Sequence, residues 1–194
     1  PEDIKVIVRT FSKSFKHTII WQTFYDVELI GSNDPIIIDP GKLARRIADP
    51  MIFGDMSLIM MGSADDFLNF FVAGTAGVNA FVGDGIVNTD DNMYLEFSAP
   101  FSVNSTLQEG DNIGMILDAR ESIIPYLADS PDQAIQKLRE KKWNDYQKIM
   151  PLVDKAHTLI LKGKRTSPEF QDLAAELNKK AASFTPWLAL RELI

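Results

Sequence analysis

The chain has 194 residues, of which 45% are hydrophobic and 24% charged, enough for one sizeable core or two small ones and too apolar for wholesale disorder. It contains no cysteine, so disulfides, thiolate metal sites and cysteine nucleophiles are excluded. The net charge of −7 is uneven: residues 1–118 hold 7 Lys and Arg against 17 Asp and Glu, and residues 119–194 hold 13 against 10. That distribution disfavours a nucleic-acid surface and suggests two units, 1–118 and 119–194.

A helix is predicted first. Ile4, Ile7, Val8, Phe11 and Phe15 form an apolar stripe of helical period, with Glu2 and Asp3 where the helix dipole favours negative charge. Residues 18–24 and 27–30 are β-branched and aromatic and read as an antiparallel pair closed by Tyr25 and Asp26. Two strands alone are marginal, so strand 18–24 is expected to lie at an open edge, either paired with a second copy or covered by a helix. Between Asp39 and Gly85, glycines and prolines divide the chain into three short helices. Leu43, Ile47, Met51 and Ile52 belong to the first, Met56, Ile59 and Met60 to the second, and Phe67, Leu68 and Phe71 to the third, which Ser63 would cap. The methionines suit either gap-filling core or an adaptable surface. The uncharged run 67–83 is interrupted by Asn69, Asn79 and glycines and falls short of the roughly 20 apolar residues of a membrane span.

Within 88–100, NTDDNMYLEFSAP, the side-chain oxygens of Asn88, Thr89, Asp90 and Asp91 favour a turn or helix start. Met93, Leu95 and Phe97 then alternate with Tyr94, Glu96 and Ser98, which predicts a half-buried extended segment ended by Pro100. Ser105 to Gln108 has capping-box spacing and should open a helix through Ile113, Ile116 and Leu117, weakened by Gly110 and Gly114.

Beyond Ala119 the pattern is helical. Ile123, Ile124 and Leu127 form a short apolar face. A cap with Pro131 at the first helical position starts a helix with Ile135, Leu138, Tyr146 and Ile149 on one side, and Pro151 should end or kink it. Leu152, Val153, Ile160 and Leu161 form the next, stopped by Gly163. A helix from Ser167 and Pro168 buries Phe170, Leu173 and Leu177, and a last one carries Trp187, Leu190 and Leu193. The starts at Ser130 and Ser167 lie 37 positions apart. Such spacing fits a tetratricopeptide-like helical-hairpin repeat or a plain bundle. The expected class is α+β and predominantly α-helical: an N-terminal helix, an antiparallel hairpin and a helical array.

Run 88–100 resembles a motif near the C-terminal end of spermidine-synthase-like proteins, including large forms fused to membrane segments. The opening stretch PEDIKVIVRTFSKSFKHTIIWQTFYDVELIGS is similar to the last helix and antiparallel pair of that family's Rossmann-like methyltransferase fold. The likeness covers roughly residues 1–118. It implies that the glycine-rich nucleoside loop and catalytic aspartate lie before Pro1, so the chain would be the C-terminal region of an aminopropyltransferase, lacking its catalytic core. The intact parent would use decarboxylated S-adenosylmethionine or a related S-adenosyl donor. A cytoplasmic location is expected, with the parent possible as a membrane-tethered form.

Tyr25 matches a late family position that lines the polyamine pocket, although Phe24-Tyr25-Asp26-Val27 lacks the family's Pro and Gly; Trp21 would be an aromatic wall. Asp90 and Asp91 could do acid–base work or, with Asn88 and Asn92, hold a divalent cation, or they could simply cap a turn. Asn88, Thr89, Asp90, Asp91 and Glu96 are read as a structural motif. His17 and His157 lack a ligand pattern, and Gly74, Gly77, Gly83 and Gly85 lack phosphate-cradle spacing. No cofactor or metal site and no catalytic residue is therefore expected in the chain itself. The alternative function is a helical interaction or oligomerisation module in which Trp143, Tyr146, Phe184 and Trp187 serve as partner anchors or as core aromatics.

Overall fold

The computed structural model describes residues 2–23, 26–103 and 108–192. Tyr25, the capping residues Ser105 and Thr106, and Leu193 lie outside the described residues. Helix α1 (Glu2–Lys13) leads into β1 (His17–Gln22) and β2 (Val27–Ser32), antiparallel with Ile19 opposite Ile30 and Trp21 opposite Glu28. After α2 (Pro40–Ile47), α3 (Pro50–Leu58) and α4 (Ala64–Leu68), a short β3 (Phe71–Ala73) pairs antiparallel with the other side of β1. The sheet order is thus β2-β1-β3. The strand expected at an open edge is the central one, because Phe71 extends along β1 instead of finishing a helix.

The three short helices begin where small polar side chains can satisfy free N–H groups. Asp39 accepts from Gly41 N–H at 2.8 Å and Lys42 N–H at 3.0 Å, Asp49 accepts from Met51 N–H at 3.0 Å, and Ser63 accepts from Asp66 N–H at 3.1 Å. Helices α5 (Thr75–Val82), α6 (Tyr94–Val103) and α7 (Gln108–Leu117) follow. The segment expected to be extended over 93–97 is therefore helical from Tyr94 on. Its alternating polarity matches a strand, but no described strand offers hydrogen bonds there, so local helical bonding takes over.

The last third holds a 3-10 turn (Ile124–Tyr126), α8 (Gln133–Leu161), α9 (Pro168–Lys180) and α10 (Thr185–Glu192). Two expected helices are one, because α8 runs through Pro151. Pro151 is exposed, so the carbonyl four residues earlier can be hydrated, while buried Met150, Val153 and Ala156 hold the helix on the core. The cap of α8 is Asp132, which accepts from Ala134 N–H at 2.8 Å, so Pro131 precedes the helix instead of starting it. Ile135 and Leu138 are exposed and do not share the buried side of Tyr146 and Ile149. With one long helix between the two Ser-Pro starts, the helix pair of a repeat is not formed.

Every residue of β1 after His17 is buried, because its two faces meet different clusters. Ile20 packs with Val8, Val72, Val78, Ile113 and Ile116; Ile19 and Trp21 pack with Leu68, Phe71, Ile123 and Trp143. A third cluster joins α8, α9 and α10 around Trp187, Leu177 and Leu190. The architecture is α+β and predominantly helical, as the sequence implied. Gly110 and Gly114, unfavourable for helix α7 in isolation, let it approach α8: a Cβ at Gly114 would lie 2.9 Å from Thr158, and one at Gly110 2.8 Å from Lys162.

Candidate functional site

The 88–100 motif folds as a turn that opens α6. Asn88 Oδ1 accepts from Leu95 N–H at 2.8 Å, and Asn92 Oδ1 accepts from Thr89 N–H at 3.2 Å and Tyr94 N–H at 3.1 Å. Asn92 Nδ2 donates to Val87 O at 2.6 Å, and Asn88 N–H donates to Thr10 Oγ1 on α1 at 2.9 Å. The amides of the two asparagines and the Thr89 hydroxyl thus carry the turn, rather than Asp90 and Asp91. Met93, at φ 43, takes the left-handed conformation that lets the chain reverse into α6. Asp90, Asp91 and Glu96 are exposed. Among the described residues no three His, Asp or Glu side chains are gathered as a metal site would need.

Trp21 is buried in the core. Its ring N–H donates to Phe67 O at 3.0 Å, and its ring lies 5.0 Å from Phe67 and 5.5 Å from Phe71, centroid to centroid. The neighbouring strand is covered on one face only. Val27 and Leu29 of β2 pack against the α1–α5 cluster, whereas Glu28 and Ile30 are exposed although Trp21 and Ile19, their partners across the pair, are covered. The outer edge of β2 pairs with no strand among the described residues. Although Glu28 is exposed as a residue, its carboxyl is partly desolvated by neighbouring atoms, which pushes it up from the usual carboxylate range, with Asp26 adding to the rise and a hydrogen bond from its own backbone opposing it.

Two polar clusters were not singled out from the sequence. In one, Glu121 Oε1 accepts from Gly74 N–H at 2.6 Å and from the Tyr126 hydroxyl at 2.8 Å. This places a carboxylate at the N-terminal end of α5, where the helix dipole favours it. Burial first, then Glu121, pushes the Tyr126 phenol up to about 12. Gly74 and Gly77 serve this contact: a Cβ at Gly74 would enter the Tyr126 ring, and one at Gly77 would lie 2.9 Å from the Glu121 carboxyl. In the other, Arg120 donates to both Asp154 oxygens, at 2.5 and 2.9 Å, and to Phe71 O of β3. Burial of Asp154 pushes its carboxyl up, opposed by Arg120. Asp154 on the buried side of α8, among Met150, Val153 and His157, was the available sign that a partner would be needed.

An open cleft of about 750 Å³ lies between α7 and α8, with Arg120 and Asp154 among its lining. Its other charges are mostly paired, Lys155 with Glu169 at 2.9 Å and Lys162 with Asp111 at 2.5 Å. Each lysine holds its partner carboxyl below the ordinary range. Such a balanced lining gives neither a polycation nor a polyanion a strong electrostatic hold. The aromatics offered as partner anchors are mostly internal: Trp143, Phe184 and Trp187 are buried, and partly buried Tyr146 packs with its ring tilted 4.8 Å from that of Phe184. His17 opens β1 and His157 is buried on α8. No helix among the described residues is long and apolar enough to cross a membrane. No family model, curated protein or solved structure matches the chain.

Proposed function

We propose that this chain is the non-catalytic C-terminal region of a spermidine-synthase-like aminopropyltransferase, whose intact form works on a polyamine with decarboxylated S-adenosylmethionine or a related donor. The supporting observation is the incomplete cover of β2. One face packs on the α1–α5 cluster, the Glu28 and Ile30 face is exposed, and among the described residues no strand pairs with the outer edge, where further sheet would be added. The resemblance of 88–100 to the family motif supplies the parent. In this reading the catalytic core lies upstream and β2 is the seam. Tyr25 and Trp21 contribute to the polyamine pocket only through that core, Trp21 as a buried support for the wall. The site of action is the cytoplasm, whether or not the parent is membrane-tethered.

Calorimetric titration of spermidine, putrescine and methylthioadenosine into the chain tests the non-catalytic part of this reading. No saturable heat is expected from any of the three; salt-resistant binding by the chain alone would overturn it. For the seam, the parent gene product with Ile30→Lys should lose aminopropyl transfer and release a soluble core on limited proteolysis. Full activity with this variant would remove β2 from the proposal.

A further inference from the structure

We infer that the cleft between the C-terminal half of α1 and α5 is a binding site for a phosphate group, free or at the end of a small organic ester. The cleft holds about 470 Å³, within the roughly 300–1,000 Å³ typical of small-molecule sites. Its charged lining is Arg9, Lys13 and Lys16 against Asp84 alone, in a stretch, residues 1–118, where 17 acidic side chains outnumber 7 basic ones. Helix α5 itself carries no charged side chain. Arg9 is 3% exposed and bonds the carbonyls of Val82, Gly83 and Ile86, with Glu2 at 3.5 Å, so its donors are already engaged. Lys13 and Lys16 are exposed and pair with no carboxylate among the described residues. With Glu2 set against Arg9, the two lysines still outweigh Asp84.

The uncommitted polar groups of the cleft are chiefly donors. Thr18 lies on the same side of β1 as Ile20, the side that packs on Val8 of α1 and Val78 of α5. It is 2% exposed and lines the cleft, and its hydroxyl has no hydrogen-bond partner among the described residues. A buried hydroxyl left this way is costly, so an occupant that accepts from it is favoured. Thr75 Oγ1 accepts from Thr18 N–H at 3.2 Å, which holds the two threonines together, and its own proton has no acceptor among the described residues. One turn further along α5, the exposed Asn79 adds a carboxamide to the lining. A phosphate group is anionic and rich in acceptor oxygens, so it answers both the hydroxyls and the lysines. A polyamine or a metal cation would leave all of them unanswered. Phe15 and Val82 add apolar surface against which the body of an ester can rest. The site is independent of any transferase parentage.

Amide nitrogen–proton NMR spectra of the chain, titrated with inorganic phosphate and separately with phenyl phosphate at constant ionic strength, test this. Saturable shifts should centre on Lys16, Thr18 and Thr75. Tighter binding of phenyl phosphate would identify an ester as the ligand, and equal or weaker binding free phosphate. Lys13→Gln with Lys16→Gln should weaken binding at least tenfold, and Asp84→Asn should strengthen it. Thr18→Val keeps the side-chain shape and removes the unpartnered hydroxyl, so it should weaken binding several-fold without lowering Tm. A hydroxyl with only a structural role would instead cost stability when removed. Lys137→Gln and Lys141→Gln, on α8 and outside the cleft lining, should leave binding unchanged. Shifts that fail to saturate, or that follow every lysine alike, would mean an adventitious ion only and overturn the proposal. So would binding that the Thr18 and lysine variants leave unchanged.

Discussion

Tyr126 shows how single side chains organise the sheet end. Its hydroxyl, Glu121 and the Gly74 N–H share one oxygen, tying the chain after α7 to the start of α5. Burial and Glu121 raise the phenol from 10.0 to about 12, which favours the protonated form in the folded state. The corresponding stability is complete below pH 10 and is lost as pH rises toward 12, because the unfolded phenol ionises first. Ultraviolet titration should therefore show late ionisation from Tyr126 and from Tyr146, whose phenol burial also pushes up; Tyr126→Phe should remove one tyrosine's share of it, and the variant should lose stability less steeply across that window. Late ionisation that Tyr126→Phe leaves undiminished would contradict the geometry. The sequence displayed Gly74 and Gly77 as a possible but mis-spaced phosphate cradle. Their use as clearance for Tyr126 and Glu121 could not be read there, since those residues lie more than forty positions away.

Among the elements, α8 departs furthest from its sequence pattern. A proline in a helix interior removes one hydrogen bond and crowds the preceding turn, at a cost of about 3 kcal/mol in isolation. Tertiary packing overrides that local penalty here, with buried residues on both sides of exposed Pro151. Pro151→Ala is accordingly expected to raise stability in urea by roughly 1–3 kcal/mol, the restored N–H bond and relieved contact outweighing the proline's smaller unfolded-state entropy. A destabilised variant would mean that the proline shapes α8 to fit α7 or α9. Segment 88–100 errs in the opposite sense. Its alternating polarity called for a strand, but a strand needs a neighbour, and a helix satisfies its own backbone.

Across the whole molecule, α8 contributes to all three core clusters: Trp143 to the one beside Trp21, Leu161 to the one beneath Ile20, and Met150, Val153 and Ala156 to the one around Trp187. Arg120 and Asp154 add a link from α8 to β3. Removing one partner of a buried ion pair strands the other, which costs on the order of 3–5 kcal/mol. Asp154→Ala should therefore lower stability by about that amount and do so equally by tryptophan fluorescence and far-ultraviolet circular dichroism, since the clusters unfold together. Two separated transitions, with only one shifted, would show that residues 1–118 and 119–194 unfold as independent units despite these links.

The predominantly helical α+β class, the first helix and hairpin, the presence of three short helices with Ser63 capping the third, and the apolar faces of α9 and α10 were legible because each rests on periodicity or on a cap a few residues away, although Met51 and Ile52, grouped with the first short helix, lie on the second, and Ile59 and Met60 lie past its end. So was the turn character of 88–92, although which side chains carry it was not. The third strand, the central place of β1, the fusion across Pro151, the Arg120–Asp154 pair and the exposure of Ile135 and Leu138 depend on residues far apart in the chain. Periodicity states which side of an element is apolar; only the assembled fold decides whether another element covers that side or leaves it to solvent.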